Sequence, residues 1–295
     1  MELRHLRCFM AVAEELNFTR AAERLHIDQS PLSRTIRELE DDLGTSLFVR
    51  STHSTRLTRA GALFKEQVPR VFTVLDQVRA SVQAVAAGFH DQLRIALSDG
   101  ITPSRLASLM AQCRQDDPNI ALRFSEVPLA QQIKGLHDDL YDAGFAQSSE
   151  VGDGLLAEPA WSEPLQVAVP ARHPLLAYKI VPLDEVLRYP LVLGDPQFHE
   201  GYYRQIARLL RSVDREPVIA EQVKSLDLML TLVAAGYALG LAGASQIASG
   251  RALGIVARPV AGRSTTLTTW MLRRDGAPSP SLARFMERVA PPCAG

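Results

Sequence analysis

Gln29-Ser30-Pro31-Leu32-Ser33-Arg34-Thr35-Ile36-Arg37-Glu38-Leu39 follows a short helical run, Thr19 to Leu25, and a three-residue connection, His26-Ile27-Asp28. Leu32, Ile36, Leu39 and Leu43 recur at intervals of four, three and four, which predicts one apolar stripe along a helix. Ser30, Arg34 and Arg37 fall on the opposite face, with Gln29, Pro31 and Ser33 beside them at the amino-terminal end. Short donors and acceptors with two guanidiniums on an exposed helix face suit a DNA major groove. An amphipathic helix with a solvated polar side would look alike in isolation. Helix, tight turn and second helix with a polar outward face is the helix-turn-helix plan.

The flanking residues extend that plan. Leu3, Leu6, Phe9, Met10, Ala13 and Leu16 give a preceding helix a wide apolar face. Asn17 or Thr19 can cap the second helix, and Asp28 the third, by accepting an orphan backbone N–H. After Gly44, Ser46 to Arg50 and Arg56 to Thr58 read as two short strands around a polar turn. Arg50, His53 and Arg56 on such a wing can reach phosphates or a minor groove.

These residues carry a resemblance. Met1 to Arg7, Asn17-Phe18-Thr19-Arg20-Ala21-Ala22-Glu23-Arg24-Leu25-His26, Leu32-Ser33-Arg34, Leu47-Phe48-Val49-Arg50 and Leu57-Thr58-Arg59-Ala60-Gly61 resemble the amino-terminal domain of LysR-type transcriptional regulators. The likeness is dense over about 60 residues. It implies a winged helix-turn-helix over 1–58, a dimerising linker helix over 59–88, and an effector-binding domain of periplasmic-binding-protein type over 89–295. The fold class expected is therefore α+β and multidomain.

A chain of 295 residues accommodates that division, and its 46% hydrophobic content contains no run long enough for a membrane span. The charged, amphipathic amino terminus is unlike a signal peptide and favours a cytoplasmic location. Cys8, Cys113 and Cys293 are too few and scattered for a disulfide framework or zinc site. Within residues 1–60, nine arginines face nine acids, so the domain is not basic overall. Glu40, Asp41 and Asp42 crowd the end of the third helix, leaving its amino-terminal half for the groove.

Phe64, Val68, Val71, Leu75, Val78, Val82 and Val85 step alternately by four and three, as a coiled-coil seam does. A buried helix of one domain would give the same pattern, but a position between two domains favours a dimer linker. Pro69 predicts a bend.

From Gln92 the pattern alternates between strands and helices. Leu93–Leu97, Ile120–Phe124 and Tyr141–Ala146, with helices Pro103–Arg114 and Leu129–Asp138 between them, predict a βαβαβ unit. A second unit starts near Leu165–Val169, and Thr266–Leu272 returns the chain to the first. The expected lobes are about 89–163 with 267–295, and about 164–266. Ligands of such sheets bind at the carboxyl ends of the strands. Trp161-Ser162-Glu163-Pro164-Leu165 and Leu232 to Gly236 are similar to the same family's carboxy-terminal half, with the likeness tending toward regulators of aromatic-acid breakdown that sense muconate-like dicarboxylates.

The resemblance places an effector near Ser98, Gly100, Ile101, Thr102, Leu129, Phe145 and Gln147 in the first lobe, and Phe198, His199 and Gly201 in the second. Three positions depart from that subgroup. Gly100 and Leu129 stand where hydroxyl residues are common, and Gln147 replaces an arginine. Asp99 would repel an anion if it pointed inward, and would be harmless as a helix cap.

An enzyme is disfavoured. Gly243 to Ile247 lacks the last glycine of a nucleophile elbow, no phosphate loop is present, and no catalytic role set is complete. An architectural DNA protein would not need two α/β lobes. The expected partners are an operator duplex, a small organic-acid effector, further copies of the chain as homodimer and homotetramer, and RNA polymerase. No cofactor, metal ion or membrane is expected.

Overall fold

The computed structural model describes residues 1–50, 55–99, 101, 103–262 and 265–289, and falls into two units, 1–81 and 82–295. Unit 1 begins with α1 (Leu3–Glu15), α2 (Phe18–Leu25) and α3 (Gln29–Leu43), followed by the antiparallel strands β1 (Phe48–Arg50) and β2 (Thr55–Leu57). Asn17 caps α2 as expected, its Oδ1 accepting from Thr19 N at 2.9 Å and Arg20 N at 3.1 Å. His26, at φ 54°, turns the chain out of α2, and Gly44, at φ 65°, out of α3.

Three expectations need correction here. Asp28 holds the cap position of α3, but its side chain accepts no capping bond. Leu43 is 38% exposed, because the stripe of α3 ends with Leu39 and the chain turns away at Gly44. Phe64 and Val68 belong to an internal core rather than to a free seam. They pack with Phe9, Val12, Leu32, Ile36, Leu39 and Leu47, and Phe64 meets the Phe9 ring edge-on at 4.8 Å. Helix α4 (Arg59–Ala86) runs on through Pro69. Beyond it, Val71, Val74, Val78, Val82 and Val85 are exposed.

Unit 2 opens with β3 (Asp91–Leu97), α5 (Pro103–Asp116), β4 (Ile120–Glu126), α6 (Leu129–His137) and β5 (Ala143–Ala146). A 16-residue strand, β6 (Leu155–Pro170), leads to β7 (Val181–Pro182), α7 (Leu183–Val186), β8 (Leu191–Gly194), α8 (Glu200–Leu210), β9 (Ile219–Val223) and α9 (Leu226–Ala234). Then follow β10 (Leu239–Gly243), α10 (Ala244–Ser249), β11 (Ile255–Ala261), β12 (Thr266–Arg274) and α11 (Pro280–Val289).

The strands hydrogen-bond in the order β4-β3-β5-β12-β6-β10-β8-β9, with β11 added between β6 and β7. Within each lobe β3 and β8 pair in parallel with both their neighbours, as βαβ connections require. Strands β6 and β12 run antiparallel to their partners. The sheet is therefore mixed, not parallel throughout. Leu165–Val169 does not start a new strand; it is the second half of β6, whose first half pairs with β12 in lobe 1. Each lobe buries its own core, around Phe145, Ile95 and Phe285 in one and Leu191, Val167 and Tyr202 in the other. No helix among the described residues is long and apolar enough to cross a membrane.

Candidate nucleic-acid interface and interlobe cleft

On α3, Gln29, Ser30, Pro31, Arg34 and Arg37 are exposed and Ser33 is partly so, opposite buried Leu32, Thr35, Ile36 and Leu39. Arg34 and Arg37 enter no ion pair among the described residues. Four of the nine acids are held in internal contacts. Glu14 and Glu15 hold Arg24, with Glu14 at 2.6 Å, and Glu15 also pairs with Arg20. Asp42 holds the Met1 ammonium at 2.6 Å. Glu40 accepts from Leu47 N at 2.7 Å and Phe48 N at 3.1 Å, fastening the wing to α3. These acids are structural, and the arginines of the outer α3 face stay available. Arg56 on β2 is exposed as well. His53 and the side chain of Arg50 lie outside the described residues.

In unit 2 a cavity of about 540 Å³ lies at the carboxyl ends of β3 and β8. Lobe 1 contributes Ser98, Asp99, Ile101 and Glu126 to its lining, and lobe 2 contributes Phe198, His199 and Lys224. The Lys224 ammonium stands 4.5 Å above the Phe198 ring. His199 donates from Nε2 to the Lys224 carbonyl at 2.9 Å, which leaves Nδ1 an acceptor with no partner among the described residues. A larger cavity, about 760 Å³, sits between α5 and α11. It lies by the amino end of β4, away from the carboxyl ends of the strands, and its Asp117 and Arg288 already pair with each other, so the interlobe cavity is the better ligand site.

The other expected effector residues divide. Leu129 is buried among Leu136, Ala146 and Leu272, and Phe145 packs against the tilted ring of Trp161 at 5.0 Å and near Phe285 at 6.2 Å; neither lines the cavity. Gly100 and Thr102 lie outside the described residues. Gln147 and Gly201 are buried where the lobes meet. Their backbone N–H groups are both engaged by one side chain. Asp99 Oδ2 accepts from Gln147 N at 3.0 Å and Oδ1 from Gly201 N at 2.9 Å, while the Ser98 hydroxyl donates to Oδ2 at 3.2 Å. Asp99 thus caps a helix of the opposite lobe, α8, instead of the α5 that follows it. Burial pushes its carboxyl above the ordinary value, against the pull of the N–H donors.

Sequence reasoning missed Gln205, Glu126 and Lys224. Gln205 donates from Nε2 to the carbonyls of Gln147 and Thr268, at 2.7 and 2.8 Å, and accepts from Thr268 N at 3.0 Å. Asp99 carried a signal, since aspartate tolerates the left-handed backbone found there, φ 65°. Its partner 102 residues away carried none.

A winged helix-turn-helix and a two-lobed α/β domain with an interlobe cavity define a class of ligand-responsive DNA-binding proteins. Comparison with known proteins agrees. Residues 3–62 match the family described as bacterial regulatory helix-turn-helix protein, lysR family, and residues 86–291 match the LysR substrate binding domain. The chain belongs to the LysR family of transcriptional regulators. It is 34% identical to the uncharacterized HTH-type transcriptional regulator YnfL of Escherichia coli (strain K12), over 83% of each chain. It is 31% identical to the HTH-type transcriptional regulator BenM of Acinetobacter baylyi, over 83% of this chain and 81% of BenM. Full-length CbnR, solved in complex with its target DNA, superimposes with a TM-score of 0.80 at 28% identity, over 98% of this chain and 99% of CbnR. These relatives are named as regulators of transcription, not as enzymes.

Proposed function

We propose that this regulator reads a duplex operator with α3 in the major groove and the wing on the flanking backbone, as a dimer joined through α4. The observation that carries this reading is the outer face of α3, where Gln29, Ser30, Arg34 and Arg37 are exposed while Glu14, Glu40 and Asp42 are spent on internal contacts. Arginine and glutamine are side chains that can pair with base edges in two places at once. Residues 1–58 form the reading head, 59–88 the dimerising helix and 89–295 the effector domain. Association of two dimers into a tetramer, recruitment of RNA polymerase and a cytoplasmic location belong to the same reading.

The effector of the interlobe cavity is a small organic acid. The Lys224 ammonium, the Ser98 hydroxyl and the apolar walls of Ile101, Leu106 and Phe198 support that class. A ligand alters DNA contacts only through unequal affinity for two lobe or subunit arrangements. Footprinting on the DNA flanking the coding region, with and without a panel of aromatic acids and dicarboxylates, tests the proposal. An acid that raises thermal stability and changes the footprint supports it. A footprint that no acid alters would leave the DNA reading standing and remove the effector class.

A further inference from the structure

Asp99 is 2% exposed, yet its carboxylate touches no cation among the described residues. It is held by dipoles instead: the N–H of Gln147 just past β5, the N–H of Gly201 in the first turn of α8, and the Ser98 hydroxyl. Two of these donors come from one lobe and the third from the other. A carboxylate at the start of an 11-residue helix is also favoured by the helix dipole. The fit is tight. A Cβ added to Gly201 would stand 2.4 Å from Asp99 Oδ2 and 2.7 Å from the Gln147 carbonyl carbon, so only glycine allows the lobes to close on the carboxylate. Asp99 reaches the donors from a left-handed backbone that a non-glycine residue adopts at a cost.

We propose that Asp99 is an intramolecular ligand: its carboxylate fills an anion subsite built from Gln147 N, Gly201 N and Ser98 Oγ, and ties the lobes together with no added molecule. An organic acid can use those donors only by displacing Asp99. The subsite stands on its own geometry, whereas the displacement rests on the acid reading of the cavity given above. The adjoining cavity, which holds Lys224 and His199, is then where the remainder of such an acid sits.

Chemical rescue tests the subsite in the full-length protein. Asp99→Gly removes the carboxylate and suits the left-handed backbone. Its melting temperature falls, and formate or acetate at millimolar concentration restores it, whereas chloride and acetamide at matched concentration do not; the wild type responds to none of them. Hydrogen exchange at Gln147 and Gly201 follows the same order, protected in the wild type, fast in the variant, and slowed again by formate. Asp99→Asn, which keeps the shape but faces one N–H donor with an amide N–H, provides the exchange measurement if Asp99→Gly does not fold. Equal protection in the wild type and Asp99→Asn, or equal responses to acetate and acetamide in Asp99→Gly, would overturn the proposal. The acid panel is then titrated into both proteins. Binding about tenfold or more tighter to Asp99→Gly supports displacement, and equal binding refutes it. If no acid binds either protein, the effector reading fails while formate rescue still decides the role of Asp99.

Discussion

Gln205 faces Thr268 as a residue of a neighbouring strand would, accepting from its backbone N at 3.0 Å and donating to its backbone O at 2.8 Å. One amide side chain on α8 thereby satisfies both main-chain groups of a crossing strand, and the same Nε2 reaches the Gln147 carbonyl at 2.7 Å. Gln205→Ala leaves these groups without their partner in a half-buried place. The expected loss is about 1–3 kcal/mol of unfolding free energy, read from the urea midpoint at unchanged slope. An unshifted midpoint would mean that water replaces the amide.

Recognition is tested on α3. Arg34→Ala should weaken operator binding by about 1–3 kcal/mol, the range for a lost base-edge contact, with little effect on folding because the side chain is exposed. Gln29→Ala should relax base preference, and Arg56→Ala should reduce the salt dependence of binding. Gel-shift titrations at several salt concentrations separate the three. Unchanged affinity and specificity in the Arg34 and Gln29 variants would remove α3 from the groove.

Assembly is tested on α4. Val78 is exposed on the apolar row that continues beyond the winged-helix core. Val78→Asp places an unpaired charge in a seam that dimerisation would dehydrate, which is costly. Light scattering should show smaller particles, and binding to a two-half-site operator should fall much further than binding to one half-site. Unaltered mass would assign the valine row another role.

The Asp99 carboxyl has a defined pH signature. Its pKa is raised above 3.8 by burial, so the folded state holds the proton more tightly than the unfolded chain does. Stability from this group is complete below the ordinary value and is lost as the pH climbs through the raised one. Glu126, His199 and Lys224 line the same cavity, so the comparison is with Asp99→Asn, which keeps them all. The wild type should lose stability relative to that variant as the pH rises from about 4. Parallel pH profiles of the two proteins would refute the raised value.

The reading head was legible because its determinants are local: a stripe at helical spacing, an Asn17 cap, a wing bounded by turn residues. Local rules also explain the partial errors. Phe64 and Val68 share the period of the exposed valines, and periodicity cannot say that the first two pack on Phe9 while the rest face outward. In the α/β half the first βαβαβ unit is legible within a few residues, but β9, β11 and the first half of β6 are not, since Pro159 and Pro164 interrupt the alternation of β6 in a way that the sheet tolerates. The cleft was least legible. At Asp99 the sequence allows a repulsive anion or a cap for the next helix, and the backbone donors that hold it come from residues 48 and 102 positions away. Such contacts exist only once both lobes are built.

The place of β12 in the sheet bears on synthesis. Strand β12 leaves the ribosome after β3 to β11, yet it lies in the middle, between β5 and β6. Lobe 2 is complete in contiguous chain once β11 has emerged. Lobe 1 must wait, with the facing edges of β5 and β6 unpaired and its apolar floor uncovered by α11, until residue 289 is made. Such unpaired edges invite pairing with another chain. A nascent chain stalled or truncated before Thr266 would therefore carry a finished reading head and a finished second lobe on an open, aggregation-prone first lobe.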